Sequence, residues 1–141
     1  FFLGKKELAN LPILGFFFKN IDLGIDRNNK DYNKSILQQC SKNLSDGISM
    51  IIFPEGTISK NGKRLMNFKN GAFYLSIINK IPIIPISIIN AKYIFYNNGL
   101  RYGSKPGIID VVVHSTVFIK KNMNVDTLKS QIFNIIDKSL K

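Results

Sequence analysis

Short apolar runs alternate along this chain with longer polar segments whose apolar residues recur at helical spacing. Ile21 to Ile25 is predicted as a short strand, and Asp31 to Leu44 carries Tyr32, Ile36, Leu37, Cys40 and Leu44 at the spacing of one helix face. Ile48 to Phe53 reads as a second strand, nearly all apolar, as expected of a strand buried on both faces of a parallel sheet. A polar loop through Asn67, a helix over Lys69 to Asn79 and a strand over Ile81 to Ile86 follow. A strand is predicted for Ile108 to Ile119. The last helix opens at Asn124, a good N-cap, with Leu128, Ile132, Ile135, Ile136 and Leu140 on one face. This β-α alternation predicts an α/β fold, a mostly parallel central sheet with flanking helices and right-handed crossovers.

Two segments fit the alternation less well. Leu11 to Phe18 is apolar, too short to span a bilayer, and flanked by Lys5, Lys6 and Lys19. Shallow insertion at a membrane interface and packing into the core are both open readings, and Pro12 and Gly15 argue against one regular helix there. Ala91 to Lys105, rich in Tyr, Asn and Gly, reads as an irregular excursion. Pro82 and Pro85 in the Ile-rich strand would remove ladder hydrogen bonds from a central strand, so they predict an edge, a bulge or a bend.

The segment Phe53-Pro54-Glu55-Gly56-Thr57-Ile58-Ser59 concentrates the chemistry. Pro54 ends the strand. A carboxylate, a glycine and two hydroxyls then lie just beyond the carboxyl end of a parallel strand, where open α/β sheets bind ligands, and Gly56 lets a ligand approach the backbone. That combination suits a polar headgroup.

Three blocks, Ile25-Asp26-Arg27, Phe53-Pro54-Glu55-Gly56-Thr57 and Ile81-Pro82-Ile83-Ile84-Pro85, stand in the order and spacing of the glycerolipid acyltransferases. Together with Phe68-Lys69-Asn70-Gly71-Ala72, they make the chain resemble the 1-acylglycerol-3-phosphate (lysophosphatidate) acyltransferase family over most of its length. The family's catalytic Asn-His-x-x-x-x-Asp element precedes the Ile-Asp-Arg block. No such element lies between Phe1 and Asp26, and Leu3-Gly4-Lys5-Lys6-Glu7-Leu8 resembles the stretch that follows it in relatives. The expectation is one acyltransferase domain over 1–141 that lacks its N-terminal catalytic histidine segment and is nearly inactive as it stands.

The resemblance implies acyl transfer from a thioester to the sn-2 hydroxyl of 1-acylglycerol-3-phosphate, giving phosphatidate in phospholipid biosynthesis. Acyl-coenzyme A or acyl-carrier protein would be co-substrate, with no cofactor and no metal. Arg27 is assigned the phosphate, which its paired N–H donors suit. Asp26, whose side chain points to the opposite side of an extended backbone, shapes the site or caps the strand. Glu55 binds a glycerol hydroxyl or ties the loop to Arg27. Gly56 gives space, while Thr57 and Ser59 donate to phosphate oxygens or cap the turn. Lys69, at a helix start, completes the phosphate grip or is simply solvated. Phe53, Pro54 and Pro82 shape the site. Relatives often carry arginine where Ile58 stands.

Composition narrows the partners. A length of 141 residues with 45% hydrophobic residues supports one core. The net charge of +11 would attract anionic lipid, nucleic acid or an acidic carrier protein. The cations are lysine except Arg27, Arg64 and Arg101, amid abundant Ile, Asn, Phe and Tyr, a bias of AT-rich coding that weakens the charge as evidence. No nucleic-acid motif accompanies it, so nucleic acid is not an expected partner. The one cysteine, Cys40, excludes an internal disulfide and suits a reducing cytoplasm. No zinc spacing occurs. The only histidine, His114, lies in an alternating strand far from every block and is read as a polar-face or core residue. There is no secretory signal and no run of eighteen apolar residues. The expected place is the cytoplasmic face of a bacterial plasma membrane, peripheral or anchored through the absent N-terminal part. The competing expectation is a catalytically inactive lipid-headgroup-binding relative.

Overall fold

The structure, a computed structural model, describes residues 1–26, 28–57, 64–94 and 106–140. It opens with β1 (Phe2–Lys5), a 3-10 turn at Lys6–Asn10, α1 (Leu14–Asn20) and β2 (Leu23–Ile25). There follow α2 (Lys30–Ser45), β3 (Ile51–Ile52), α3 (Gly71–Asn79), β4 (Ile86–Ile88), α4 (Ala91–Ile94), β5 (Val111–Val113) and α5 (Val125–Ser139).

β1 is the centre of a parallel sheet with order β2-β1-β3. Leu3, Gly4 and Lys5 lie beside Leu23, Gly24 and Ile25, while Phe2 and Leu3 lie beside Ile51 and Ile52. This strand has no counterpart among the predicted elements, because four residues containing a glycine and ending in lysine carry no readable period. The expected βα units are otherwise present. α2 begins behind Asn29, whose side chain accepts from the Tyr32 amide, and α5 begins behind Asn124, which accepts from Thr127 as its sequence predicts.

The predicted strand Ile48 to Phe53 contracts to two paired residues and is not buried on both faces. Ile51 is 48% and Phe53 62% exposed, because β3 is an edge of its three-stranded sheet. The three-stranded sheet is parallel as expected, and the second half of the chain adds β4 and β5, which pair antiparallel. The prolines explain why the Ile-rich strand starts late. Ile83 makes an isolated bridge to Val117 between Pro82 and Pro85, and the ladder begins only at Ile86. Pro85 still accepts from the His114 amide through its carbonyl. The single predicted strand Ile108 to Ile119 is likewise reduced to β5 and that bridge. α4 occupies the start of the expected irregular excursion, whose remainder lies outside the described residues. Gly15, expected to interrupt a helix, sits inside α1; only Pro12 precedes it.

Two apolar clusters hold these layers. Leu3, Cys40 and Leu75 join the parallel sheet to α2 and α3, while Phe68, Phe73, Val117, Leu128 and Ile132 join α3 to α5 and the antiparallel side. Among the described residues, no helix is long and apolar enough to cross a membrane.

Burial pushes the Cys40 thiol up to about 11, with a backbone hydrogen bond opposing the shift in part. The unfolded chain therefore loses this proton at lower pH than the folded one, and alkaline pH favours unfolding. Cys40 contributes its full stability below about pH 9, and that contribution declines as pH rises toward 11. Urea midpoints followed from pH 8 to 11 should fall more steeply for the native chain than for Cys40→Ala. At pH 7.5 a thiol reagent should label Cys40 only as fast as the protein unfolds.

Candidate functional site

Parallel pairing places the carboxyl ends of β1, β2 and β3 on one edge. In the order β2-β1-β3 the chain leaves β1 toward one side and returns from β3 on the other, so a crevice is expected at the β1/β3 boundary. Lys5 and Lys6 end the central strand, Asp26 follows β2, and Phe53 to Thr57 follow β3. Two of the sequence blocks thus meet on one edge. The third, around Pro82, belongs to the segment leading into β4 of the antiparallel sheet, so Pro82 does not lie on this edge.

The turn after β2 is built by Asp26. Its Oδ1 accepts from the Asn28 amide at 3.0 Å, and its own amide donates to Asn33 Oδ1 at 2.9 Å. Its second carboxylate oxygen lies 3.6 Å from Lys6 Nζ, which also sits 4.6 Å from the centroid of the Tyr32 ring. The carboxylate is thereby committed to the turn and to a cation, and Arg27, the residue assigned to phosphate, lies outside the described residues. Lys6 was not among the sequence candidates. The signal that marks it is the central strand it terminates, which periodicity did not reveal.

The loop after β3 is closed on itself and on the start of α3. Gly56 donates to the Phe53 carbonyl at 3.1 Å, and Lys69 donates its amide to the Pro54 carbonyl at 2.7 Å. Glu55 Oε2 accepts from the Met66 amide at 2.7 Å, bridging the two ends of the polar loop. Of the sequence alternatives for Glu55, a tie to Arg27 cannot be described, but a tie to the loop itself is present. Gly56 has φ +61°, a backbone region that costs an ordinary residue about 1–2 kcal/mol. Its open side faces Lys69, whose Cγ lies 3.6 Å from where a Cβ would stand. The structure thus brings Glu55, Gly56 and Lys69 together. Thr57 is exposed at the end of this turn; Ser59 lies outside the described residues. Phe53 projects toward solvent and Pro54 is half-buried, making the rim of the loop apolar.

His114 lies on the other sheet side, with Nε2 2.9 Å from the hydroxyl of buried Ser87, which in turn lies 2.6 Å from the Ser139 hydroxyl. This network joins β4, α5 and the residue after β5. Among the described residues, no group of His, Cys, Asp and Glu side chains is arranged to hold a metal.

A protein-family model described as Acyltransferase matches residues 1–89, which include β1 to β4 and both loops of this edge. The chain belongs to the Acyltransferase family. Among curated relatives of this chain, the 1-acyl-sn-glycerol-3-phosphate acyltransferase of Helicobacter pylori is 33% identical over 100 residues, covering 70% of the chain and 42% of the relative. The enzyme of that name from Salmonella typhimurium is 36% identical over 103 residues, covering 72% and 42%. One from Chlamydomonas reinhardtii is 30% identical over 128 residues, covering 90% and 37%. The chain therefore spans about two-fifths of the length of these relatives. Its fold is similar to the crystal structure of the 1-acyl-sn-glycerophosphate (LPA) acyltransferase PlsC from Thermotoga maritima. The TM-score is 0.77 at 20% identity, covering 99% of this chain and 54% of that one.

The bond from Met66 to Glu55 predicts a separation between two substitutions. Glu55→Gln keeps a carbonyl oxygen that accepts from the amide and should leave urea stability nearly unchanged, whereas Glu55→Ala strands the amide and should cost about 1 kcal/mol. Equal midpoints for both variants would show that the tie contributes nothing.

Proposed function

We propose that this chain carries the acceptor-binding part of an acyltransferase that moves an acyl group from a thioester to the sn-2 hydroxyl of 1-acylglycerol-3-phosphate. The observation that carries the proposal is the convergence of Asp26, at the end of β2, and the Phe53-to-Thr57 block on one sheet edge, within the matched family region. The acceptor oxygen attacks the thioester carbonyl carbon, the C–O bond forms, the C–S bond breaks, and the thiol leaves with the proton lost by the hydroxyl. The products are phosphatidate and free thiol, either coenzyme A or acyl-carrier protein. By resemblance, the base is the histidine of the family's Asn-His-x-x-x-x-Asp segment, which is not among these 141 residues.

What the chain's own residues do is grip and orient the acceptor. Arg27 takes the phosphate with paired N–H donors, and Lys69 adds a cation beside the open face of Gly56. Thr57 and Ser59 offer hydroxyls to phosphate oxygens. Glu55, held by the Met66 amide through one oxygen, presents the other to a glycerol hydroxyl. Phe53 and Pro54 give an apolar rim, while Pro82, away from this edge, has no part in the grip. The relatives are named for acyl transfer, which favours this reading over headgroup binding alone. A substrate with one long acyl chain places the work at a membrane surface, at the cytoplasmic face where acyl thioesters are made.

The protein expressed from its complete coding region, supplied with a radiolabelled acyl thioester and lysophosphatidate, should form phosphatidate. Arg27→Ala should raise KM for the acceptor about tenfold or more, the value of a charge-assisted hydrogen bond, while acyl-donor KM stays unchanged. An unaltered acceptor KM would remove Arg27 from the phosphate site.

A further inference from the structure

The crossover between β1 and β2 carries more apolar surface than the fold uses. α1 turns Phe18 toward the sheet, where its ring lies against Gly4, and its first turn is pressed so close to the preceding 3-10 turn that a Cβ on Gly15 would come within 2.4 Å of the Ala9 carbonyl oxygen. The hairpin is thus seated tightly. Its outer side nevertheless exposes Leu11, Ile13 (78%), Phe16 (65%), Phe17 (44%) and Ile21 (57%). Ile13, Phe16, Phe17 and Ile21 are spaced three and four apart and form one stripe, to one side of Phe18, and the rings of Phe16 and Phe17 meet edge to face at 5.7 Å. The core-packing reading of this run therefore holds for Phe18 and fails for Phe16 and Phe17.

We infer that this stripe is the surface by which the protein enters the interface of an anionic bilayer. Charge decides for lipid over another occupant. Exposed Lys19 stands between Phe17 and Ile21, exposed Lys5 and Lys6 precede the hairpin, and Asp22, the acid next to Ile21, is held by the Phe2 amide. An apolar stripe bordered by lysines, with no acids on it, matches acyl chains beneath anionic headgroups. A groove of about 470 Å³ along the hairpin is lined by Leu11, Pro12 and Phe16 together with polar Asn10, Lys19 and Asn20. The inference deepens the proposed reading, since it rests on a substrate that resides in a membrane.

The chain has no tryptophan, so Phe16→Trp introduces a single reporter. With vesicles of phosphatidylglycerol and phosphatidylethanolamine, free of lysophosphatidate and thioester, its emission should shift to the blue and be quenched by lipids brominated near the headgroup. Phe118→Trp, similarly exposed but next to the Ile83–Val117 bridge of the antiparallel half, should not respond. The double variant Phe16→Ser/Phe17→Ser should bind these vesicles at least about tenfold more weakly with an unchanged thermal midpoint. A blue emission of Phe16→Trp before lipid is added, which would reveal another protein segment or a second copy on the stripe, overturns the inference. So does a response at Phe118→Trp alone, or undiminished binding by the double variant. Because neither substrate is present, failure of the acyl-transfer reading leaves these readouts intact.

Discussion

The two faces of α3 hold this molecule together. Phe73 and Leu75 are two residues apart, hence about 200° apart around the helix, and each is 1% exposed. Phe73 packs with Phe68, Leu128 and Ile132, and Leu75 with Leu3 and Cys40. With Tyr74 and Ile78 left to solvent, the helix is the shared wall between a parallel sheet and an antiparallel pair that, among the described residues, make no ladder with each other. Polar contacts fix its lower end. Ser76 donates to the Ile81 carbonyl, and Asn79 accepts from Ser41 of α2 at 2.7 Å. Emptying either apolar side would leave a cavity of the kind that costs several kcal/mol, and would separate the two halves of the core.

The upper end of α3 transmits that rigidity to chemistry. The residues before its first turn reach back to the strand that precedes them, Lys69 to Pro54 and Met66 to Glu55, so the loop after β3 is clamped at two points to the element most firmly buried. Glu55 is held through one carboxylate oxygen by the Met66 amide. The turn after β2 is made differently, from short polar side chains. Asp26 and Asn33 satisfy each other's surroundings, and Lys6 of the central strand's end neutralises the carboxylate from the side. One edge thus gathers residues from three separate strands without any of them being neighbours in sequence.

Much of this was legible in the residues. α2 and α5 followed from spacing and from a capping asparagine, and α3 from its apolar run, because a helix repeats its signal over three turns or more. Strands of two to four residues repeat theirs once or not at all, which is why β1 went unseen and why β3 was read as deeper than it is. The antiparallel partner of β4 was hidden for another reason: pairing direction depends on where the intervening segment returns, and alternation alone does not encode that. Residue type and block order singled out Glu55, Gly56 and Lys69, which the structure brings together. Lys6 was not, since its importance comes from the register of a strand that carries no period of its own.

The crossover helix shows where demands of folding end and others begin. A βαβ crossover needs one apolar side, turned to the sheet, and a polar one toward water. α1 meets the first need with Phe18 and violates the second with Phe16 and Phe17, although Pro12 and the tight approach at Gly15 leave it only seven residues in which to do so. Sequences that agree with their fold at every level depart from the local rules mainly where another task imposes them. The lysine excess of the whole chain is a diffuse bias that no particular residue explains, but at this helix the cations border apolar side chains instead of competing carboxylates. The same crossover leaves the sheet from the edge that gathers Lys6, Asp26 and Glu55. A lipid acceptor has an anionic head and an apolar tail, and a surface that meets the tail while an adjoining edge meets the head suits such a molecule better than either part alone.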